Sequence, residues 1–169
     1  MSAVPNLKVK LFADGADLAG IKEMAANPAI KGFTTNPTLM RKAGVADYKA
    51  FAMQALPVVG GRPISFEVFA DEFGEMEKQA HEIASWGKNV YVKLPVTNTR
   101  GEPLFEAVKS LSRDGVRINM TAIFASEQVV RAVAALAGGA PACVSVFAGR
   151  LADLGIDYRP IMKDAVARA

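Results

Sequence analysis

Short apolar runs, several rich in β-branched residues, alternate along this chain with longer amphipathic stretches. The runs predict strands over residues 8–14, 31–36, 64–69, 90–95, 116–121 and 142–147. The last three begin 26 residues apart, enough for a strand, a helix and two loops. Buried strands alternating with helices argue for parallel βαβ units. No linker or shift in composition interrupts the pattern, so residues 1–169 are expected to form one domain.

Local signals refine the helices. Asp71 precedes a 15-residue stretch ending before Gly87, with Glu72 and Glu75 near its start. Thr99 with Glu102 three residues on predicts a capping box. Ser126 followed by Glu127 predicts a cap for the segment that ends near Gly138 and Gly139. Asn36-Pro37 predicts a turn and a helix start, with proline at the first helical position.

Two folds compete, an open doubly wound sheet and a (β/α)8 barrel of the TIM type. A nucleotide-binding open sheet needs a glycine-rich loop after a strand, and neither GxGxxG nor GxxxxGK[ST] occurs. Polar residues instead close nearly every predicted strand: Asp14, Asn36, Glu67, Lys93, Asn119 with Thr121, and Ser145. Barrel enzymes gather their chemistry at that end. Residues two apart on a strand share a face, so Asn119 and Thr121 point one way, as do Ser65 and Glu67. The same holds for Tyr91 and Lys93, and for Cys143 and Ser145.

Composition narrows the chemistry. The 169 residues are 51% hydrophobic, enough for a core, yet no apolar stretch reaches the length of a membrane span. The N-terminal Met-Ser-Ala-Val-Pro-Asn lacks the layout of a secretion signal. A lone cysteine, Cys143, allows no internal disulfide framework and fits a reducing cytoplasm. It is expected in the core. The single histidine, His81, sits in a polar helical stretch and is expected in solvent. One His and one Cys leave a zinc site without its usual ligands. The net charge of +3 is scattered without a basic stripe, which argues against nucleic acid and is compatible with small anions.

Lys93 stands out among the eleven lysines. It ends the apolar run Asn89-Val90-Tyr91-Val92-Lys93-Leu94-Pro95, where desolvation favours the neutral amine that attacks carbonyls. The competing reading is a strand-end lysine reaching solvent. Asp14 before Gly15 could equally begin a turn, and Arg150 could pair with Asp153 on the surface. Ser145 could be a small packing residue. Trp86 and the phenylalanines are read as core or helix-sheet packing.

Six strings together resemble the transaldolase family, in its small branch that includes fructose-6-phosphate aldolases. They are Leu11-Phe12-Ala13-Asp14-Gly15-Ala16, Thr34-Thr35-Asn36-Pro37-Thr38-Leu39, Ser65-Phe66-Glu67-Val68, Val92-Lys93-Leu94-Pro95, Ile118-Asn119-Met120-Thr121-Ala122-Ile123-Phe124, and Val144-Ser145-Val146-Phe147-Ala148-Gly149-Arg150. The resemblance extends from about residue 7 to residue 157. It implies a (β/α)8 barrel and a cofactor-free, metal-free reaction in which Lys93 forms a Schiff base. By the same resemblance Asp14 is the acid/base group, and Glu67 with Thr121 handles water and protons. Asn36 and Asn119 bind the dihydroxyacetone hydroxyls, Ser145 contacts substrate and Arg150 binds phosphate. Thr35 and Phe147 join the substrate-binding set.

Glu67 and Phe147 are the residues of the transaldolase subtype, where glutamine and tyrosine mark the aldolases. The implied reaction transfers dihydroxyacetone from sedoheptulose 7-phosphate or fructose 6-phosphate to an aldose phosphate, in the pentose phosphate pathway. The resemblance also implies a cytoplasmic homo-oligomer. A fructose-6-phosphate aldolase, and a non-catalytic barrel binding a sugar phosphate or a partner chain, are the alternatives. Gly15 departs from the family's frequent threonine and is expected to loosen the loop after the first strand. Only six of eight barrel strands can be identified, and the family's C-terminal helix is missing. The sequence is expected to be part of a longer chain; completion by partner chains and natural shortening are the other possibilities.

Overall fold

The structure, a computed structural model, describes residues 8–15 and 17–169. The N-terminal hexapeptide and Ala16 of the first matching string lie outside the described residues. Two compact units divide the chain. One takes the residues up to Glu67 with Ser85–Val90, and the other takes Val68–Ala84 with Tyr91–Ala169.

In the first unit the elements run β1 (Leu11–Gly15), α1 (Leu18–Ala25), β2 (Ile30–Thr35), α2 (Pro37–Lys42), α3 (Tyr48–Val58) and β3 (Ile64–Glu67). The strands pair in parallel and in chain order. β1 starts at Leu11, not residue 8, because Leu11 is the first residue with a partner, Ile30. β3 stops at Glu67, so Val68 and Phe69, inside the predicted strand, fall outside the observed one. Asp17 caps α1 by accepting Gly20 N–H at 2.8 Å, and Asp47 caps α3 by accepting Ala50 N–H at 2.9 Å.

Arg62 ties three element ends together. Its guanidinium donates to Ala25 O at 2.9 Å, Ile30 O at 3.2 Å and Val59 O at 2.8 Å, and it lies over the Phe33 ring. Carbonyls at helix ends lack intrahelical donors, and one planar fork satisfies two of these ends. Gly15 makes a close approach: a Cβ there would stand 2.6 Å from Ile21 Cγ1. Ile21, fully buried on α1, occupies the space a side chain would take.

The second unit continues with α4 (Phe73–Ser85), β4 (Val90–Pro95), α5 (Phe105–Arg113), β5 (Ile118–Ile123), α6 (Ser126–Leu136), β6 (Cys143–Val146), α7 (Ala148–Asp153) and α8 (Arg159–Arg168). β4, β5 and β6 are parallel and in chain order. In β4, Val90, Val92 and Leu94 are buried while Tyr91, Lys93 and Pro95 are half-buried. That alternation is the period of two expected of a strand with two different faces.

Among the described residues six strands alternate with helices, an α/β fold of the (β/α)8 barrel type. No helix among the described residues is long and apolar enough to cross a membrane.

Both predicted caps in this unit are corrected. Thr99 does not start a helix: residues 97–103 form a turn closed by a bridge between Thr97 and Pro103, and α5 begins at Phe105. Glu102 is drawn to Arg100 and Asn98 instead of a helix terminus. Ser126 is the first residue of α6 and not its cap. The Gln128 side chain accepts the N–H groups of Phe124 at 2.8 Å and Ala125 at 3.1 Å, which satisfies donors just ahead of the helix. The phenylalanines divide: Phe33, Phe51, Phe66 and Phe105 are core, whereas Phe12, Phe69, Phe73 and Phe124 are exposed. His81 is in solvent as expected, 52% exposed. Cys143 is half-buried.

Candidate active site

In the first unit, the ends of β1 to β3 carry the polar residues. Asp14 lies opposite Thr34, whose hydroxyl donates to Asp14 Oδ1 at 2.9 Å. Asn36 follows β2 and caps α2. Its Oδ1 accepts the N–H groups of Thr38 at 3.0 Å and Leu39 at 3.2 Å. That leaves the amide Nδ2, a donor, as the group Asn36 can turn toward a ligand hydroxyl. Pro37 at the first helical position costs no hydrogen bond, so capping and binding are compatible.

Thr35 is placed apart from these. It is completely buried, and its hydroxyl donates to Ser65 O at 2.9 Å. Strand parity puts it on the face opposite Thr34 and Asn36. Glu67 ends β3, half-buried, and its N–H donates to the Tyr48 phenol oxygen at 2.7 Å. Tyr48 is packed edge-on against Phe66 and Trp86, with ring centroids 5.7 Å away in both cases. Burial pushes the Tyr48 phenol up to about 12, so it keeps its proton at neutral pH.

In the second unit, the ladder sets Lys93 beside Asn119 and Asn119 beside Cys143, with Pro95 beside Thr121. Lys93 is half-buried on the less covered face of β4, and its carbonyl accepts Val68 N–H at 3.2 Å. Asn119 and Thr121 are buried, 6% and 3% exposed. Beyond Thr121 the ladder slips: Met120 pairs with Val144 but Ile123 pairs with Val146. Ala122 takes up the extra residue at a φ of 59°, in the left-handed region. The bulge leaves Thr121 on the Asn119 face and turns Ile123 into the core, where it is fully buried.

Ser145 is half-buried in β6, and Arg150 is exposed on α7. Phe147 stands at the start of α7, its ring edge-on to Phe124 at 5.5 Å.

The loops after Val68 and after β4 are joined by a polar clasp. Arg100 donates to Glu72 at 2.6 Å, to Glu102 at 2.9 Å and to Asp71 at 3.4 Å. Asp71 also accepts the Thr99 N–H at 2.8 Å and hydroxyl at 2.7 Å. These bonds hold Asp71 below its ordinary value, the Thr99 N–H most, then the Thr99 hydroxyl. Arg100 first, then Asn98, does the same for Glu102.

A family model described as transaldolase/fructose-6-phosphate aldolase matches residues 11–168. The chain belongs to this family. A protein of Dehalococcoides mccartyi named "Probable transaldolase" is 41% identical over 94% of this chain and 70% of its own length. Relatives with the same name come from Clostridium acetobutylicum, 42% identical over 94% of this chain and 69% of that one, and Streptococcus agalactiae, 36% identical over 92% and 68%. A crystal structure of dihydrodipicolinate synthase aligns with a TM-score of 0.48 at 11% identity, over 94% of this chain and 80% of that one.

Two contacts beside the site residues, Thr34 to Asp14 and Tyr48 to Glu67, have no signal in the sequence alone. Thr34 lies in the Thr34-Thr35-Asn36-Pro37 string, but nothing short of the β1–β2 register could put it against Asp14. Tyr48 is the first residue of α3, and no local signal announces that its phenol reaches the Glu67 N–H.

Proposed function

We propose that this chain is a transaldolase that transfers a dihydroxyacetone unit through a Schiff base on Lys93. The observation that carries the proposal is the position of Lys93. It is the polar residue at the end of a mostly apolar strand, in ladder register with buried Asn119, in a chain of the transaldolase/fructose-6-phosphate aldolase family.

The chemistry follows from those residue types. The Lys93 amine adds to the ketose carbonyl and water leaves, giving a protonated imine. Breaking the bond between the carbons α and β to the imine sends its electron pair toward the imine nitrogen and leaves an enamine. The hydroxyl proton on the departing fragment passes to the Asp14 carboxylate, and an aldose phosphate is released. The enamine carbon then attacks an acceptor aldehyde, Asp14 returns a proton to the new hydroxyl, and water hydrolyses the imine. Glu67 and Thr121 move the protons of water in the first and last steps. Asn36 and Asn119 hold the hydroxyls of the retained unit, Ser145 contacts the substrate, and Arg150 takes the phosphate. Fructose 6-phosphate and sedoheptulose 7-phosphate are the donors; erythrose 4-phosphate and glyceraldehyde 3-phosphate are the acceptors. Glu67 and Phe147 favour transfer over release of free dihydroxyacetone.

The test is borohydride reduction of the protein in the presence of fructose 6-phosphate, followed by intact and peptide mass. A dihydroxyacetone-sized adduct on Lys93 is expected, and Lys93→Arg should abolish both adduct and turnover while keeping the fold. An adduct elsewhere, or turnover retained in Lys93→Arg, would refute the proposal.

A further inference from the structure

We infer that Tyr48 and Thr35 are positioning residues for Glu67, acting through a relay of hydroxyl hydrogen bonds; this rests on the role proposed for Glu67 above. The last N–H of β3 goes to a side chain, the Tyr48 phenol oxygen at 2.7 Å. The β2–β3 register itself covers Phe33 with Ile64 and Thr34 with Ser65. Tyr48 Oη is 3.4 Å from Thr35 Oγ1, and the Thr35 hydroxyl proton goes to Ser65 O at 2.9 Å. With that proton engaged, the 3.4 Å contact has Tyr48 donating and Thr35 accepting. The relay therefore runs from Glu67 N–H to Tyr48, to Thr35, to the Ser65 carbonyl. It begins and ends on the same strand, two residues apart, on residues that share a face.

Nothing in the relay is free to drift. Asp47 fixes the start of α3, and Tyr48 is its first residue. Phe66 and Trp86 each meet the Tyr48 ring edge-on, and their own centroids are 5.5 Å apart. Thr35 is fully buried. A carboxylate that must serve both imine formation and imine hydrolysis needs one fixed direction, and the relay sets the backbone from which Glu67 projects. Neither hydroxyl touches substrate in this role, which gives Thr35 a different task from the one the sequence suggested.

The test compares Tyr48→Phe, Thr35→Val, Thr35→Ser and Glu67→Gln in the whole chain. Borohydride-trapped adduct on Lys93 is followed in time with fructose 6-phosphate. Tyr48→Phe and Thr35→Val should each slow imine formation about tenfold, the effect of losing one hydrogen bond that orients a reacting group. Thr35→Ser should restore the rate, because it keeps the hydroxyl. Tyr48→Phe added to Glu67→Gln should cost nothing further, since a residue acting through Glu67 has nothing left to position. A slow Glu67→Gln beside a wild-type rate in Tyr48→Phe, or additive losses in the double variant, would overturn the relay. A wild-type rate in Glu67→Gln would instead bring down the role of Glu67 itself, and the relay with it. Should Tyr48→Phe fail to unfold cooperatively, the Thr35→Val and Thr35→Ser pair carries the comparison, because both keep the phenol.

Discussion

Thr34 donates its hydroxyl to Asp14 Oδ1 at 2.9 Å from the position opposite it in the β1–β2 ladder. The bond restricts which way the Asp14 carboxylate faces. Thr34→Val keeps the shape and the strand preference of the side chain and removes only the bond. A hydrogen bond to a charged group contributes about 1.5–3 kcal/mol, and exposure at this site favours the lower end. We expect kcat for dihydroxyacetone transfer to fall about tenfold with little change in KM. Thr34→Ser should recover most of it. Steady-state kinetics with an unchanged kcat in Thr34→Val would remove Thr34 from the mechanism.

The proposed function gives Glu67 and Phe147 control of the balance between transfer and release. Phe147 meets Phe124 edge-on, so position 147 has an apolar neighbour. Combining Glu67→Gln with Phe147→Tyr should raise the free dihydroxyacetone released from fructose 6-phosphate without an acceptor aldehyde, relative to the transfer rate with one. An unchanged ratio would mean that the two positions do not govern subtype in this chain.

Much of this was legible in the sequence because it depends on local period. Strand-helix alternation and the polar strand ends follow from apolar runs of the right length. Asn36-Pro37 announced both cap and helix start. What escaped depends on pairing between distant residues. The Thr99–Glu102 spacing fits a capping box, but Asp71, 28 residues earlier than Thr99, takes the Thr99 hydroxyl instead. Thr35 sat inside a matching string, yet strand parity turns it into the core. The close packing of Ile21 against Gly15 likewise joins residues on different elements.

The clasp around Arg100 should open in acid, with two separable titrations. Asp71 and Glu102 are both held below their ordinary values. Their stabilising contribution is therefore complete above about pH 4–4.5 and is lost as pH falls through the depressed values. The causes differ. Thr99 dominates at Asp71 and Arg100 at Glu102, with Asn98 second there and Glu72 sharing the guanidinium. Following the side-chain carboxyl signals by NMR should show Glu102 titrating higher in Arg100→Gln, with a smaller change at Asp71. Thr99→Val should move Asp71 more. Identical midpoints in all three proteins would mean that these bonds do not persist in solution.

Ala122 carries backbone strain for a purpose. At a φ of 59° it is the non-glycine residue in the left-handed region among the described residues, at a cost of about 1–2 kcal/mol for an L-residue. Its bulge lets Thr121 stay beside Pro95 on the Asn119 face while Ile123, two residues on, is fully buried. Without the extra residue, parity would carry Ile123 to the Thr121 face and take a large apolar side chain out of the core. Ala122→Gly should relieve the strain and raise stability by up to about 1 kcal/mol, read as a higher urea midpoint at constant slope. Ala122→Val should lower stability by about 1–2 kcal/mol, because a branched Cβ suits this conformation least. If strain is the whole story, Ala122→Gly keeps its transfer rate. If Ala122→Gly lowers kcat while raising the midpoint, the rigidity of the bulge is itself what holds Thr121 in place. A midpoint unchanged in Ala122→Gly and Ala122→Val would show that the left-handed backbone is not maintained in solution.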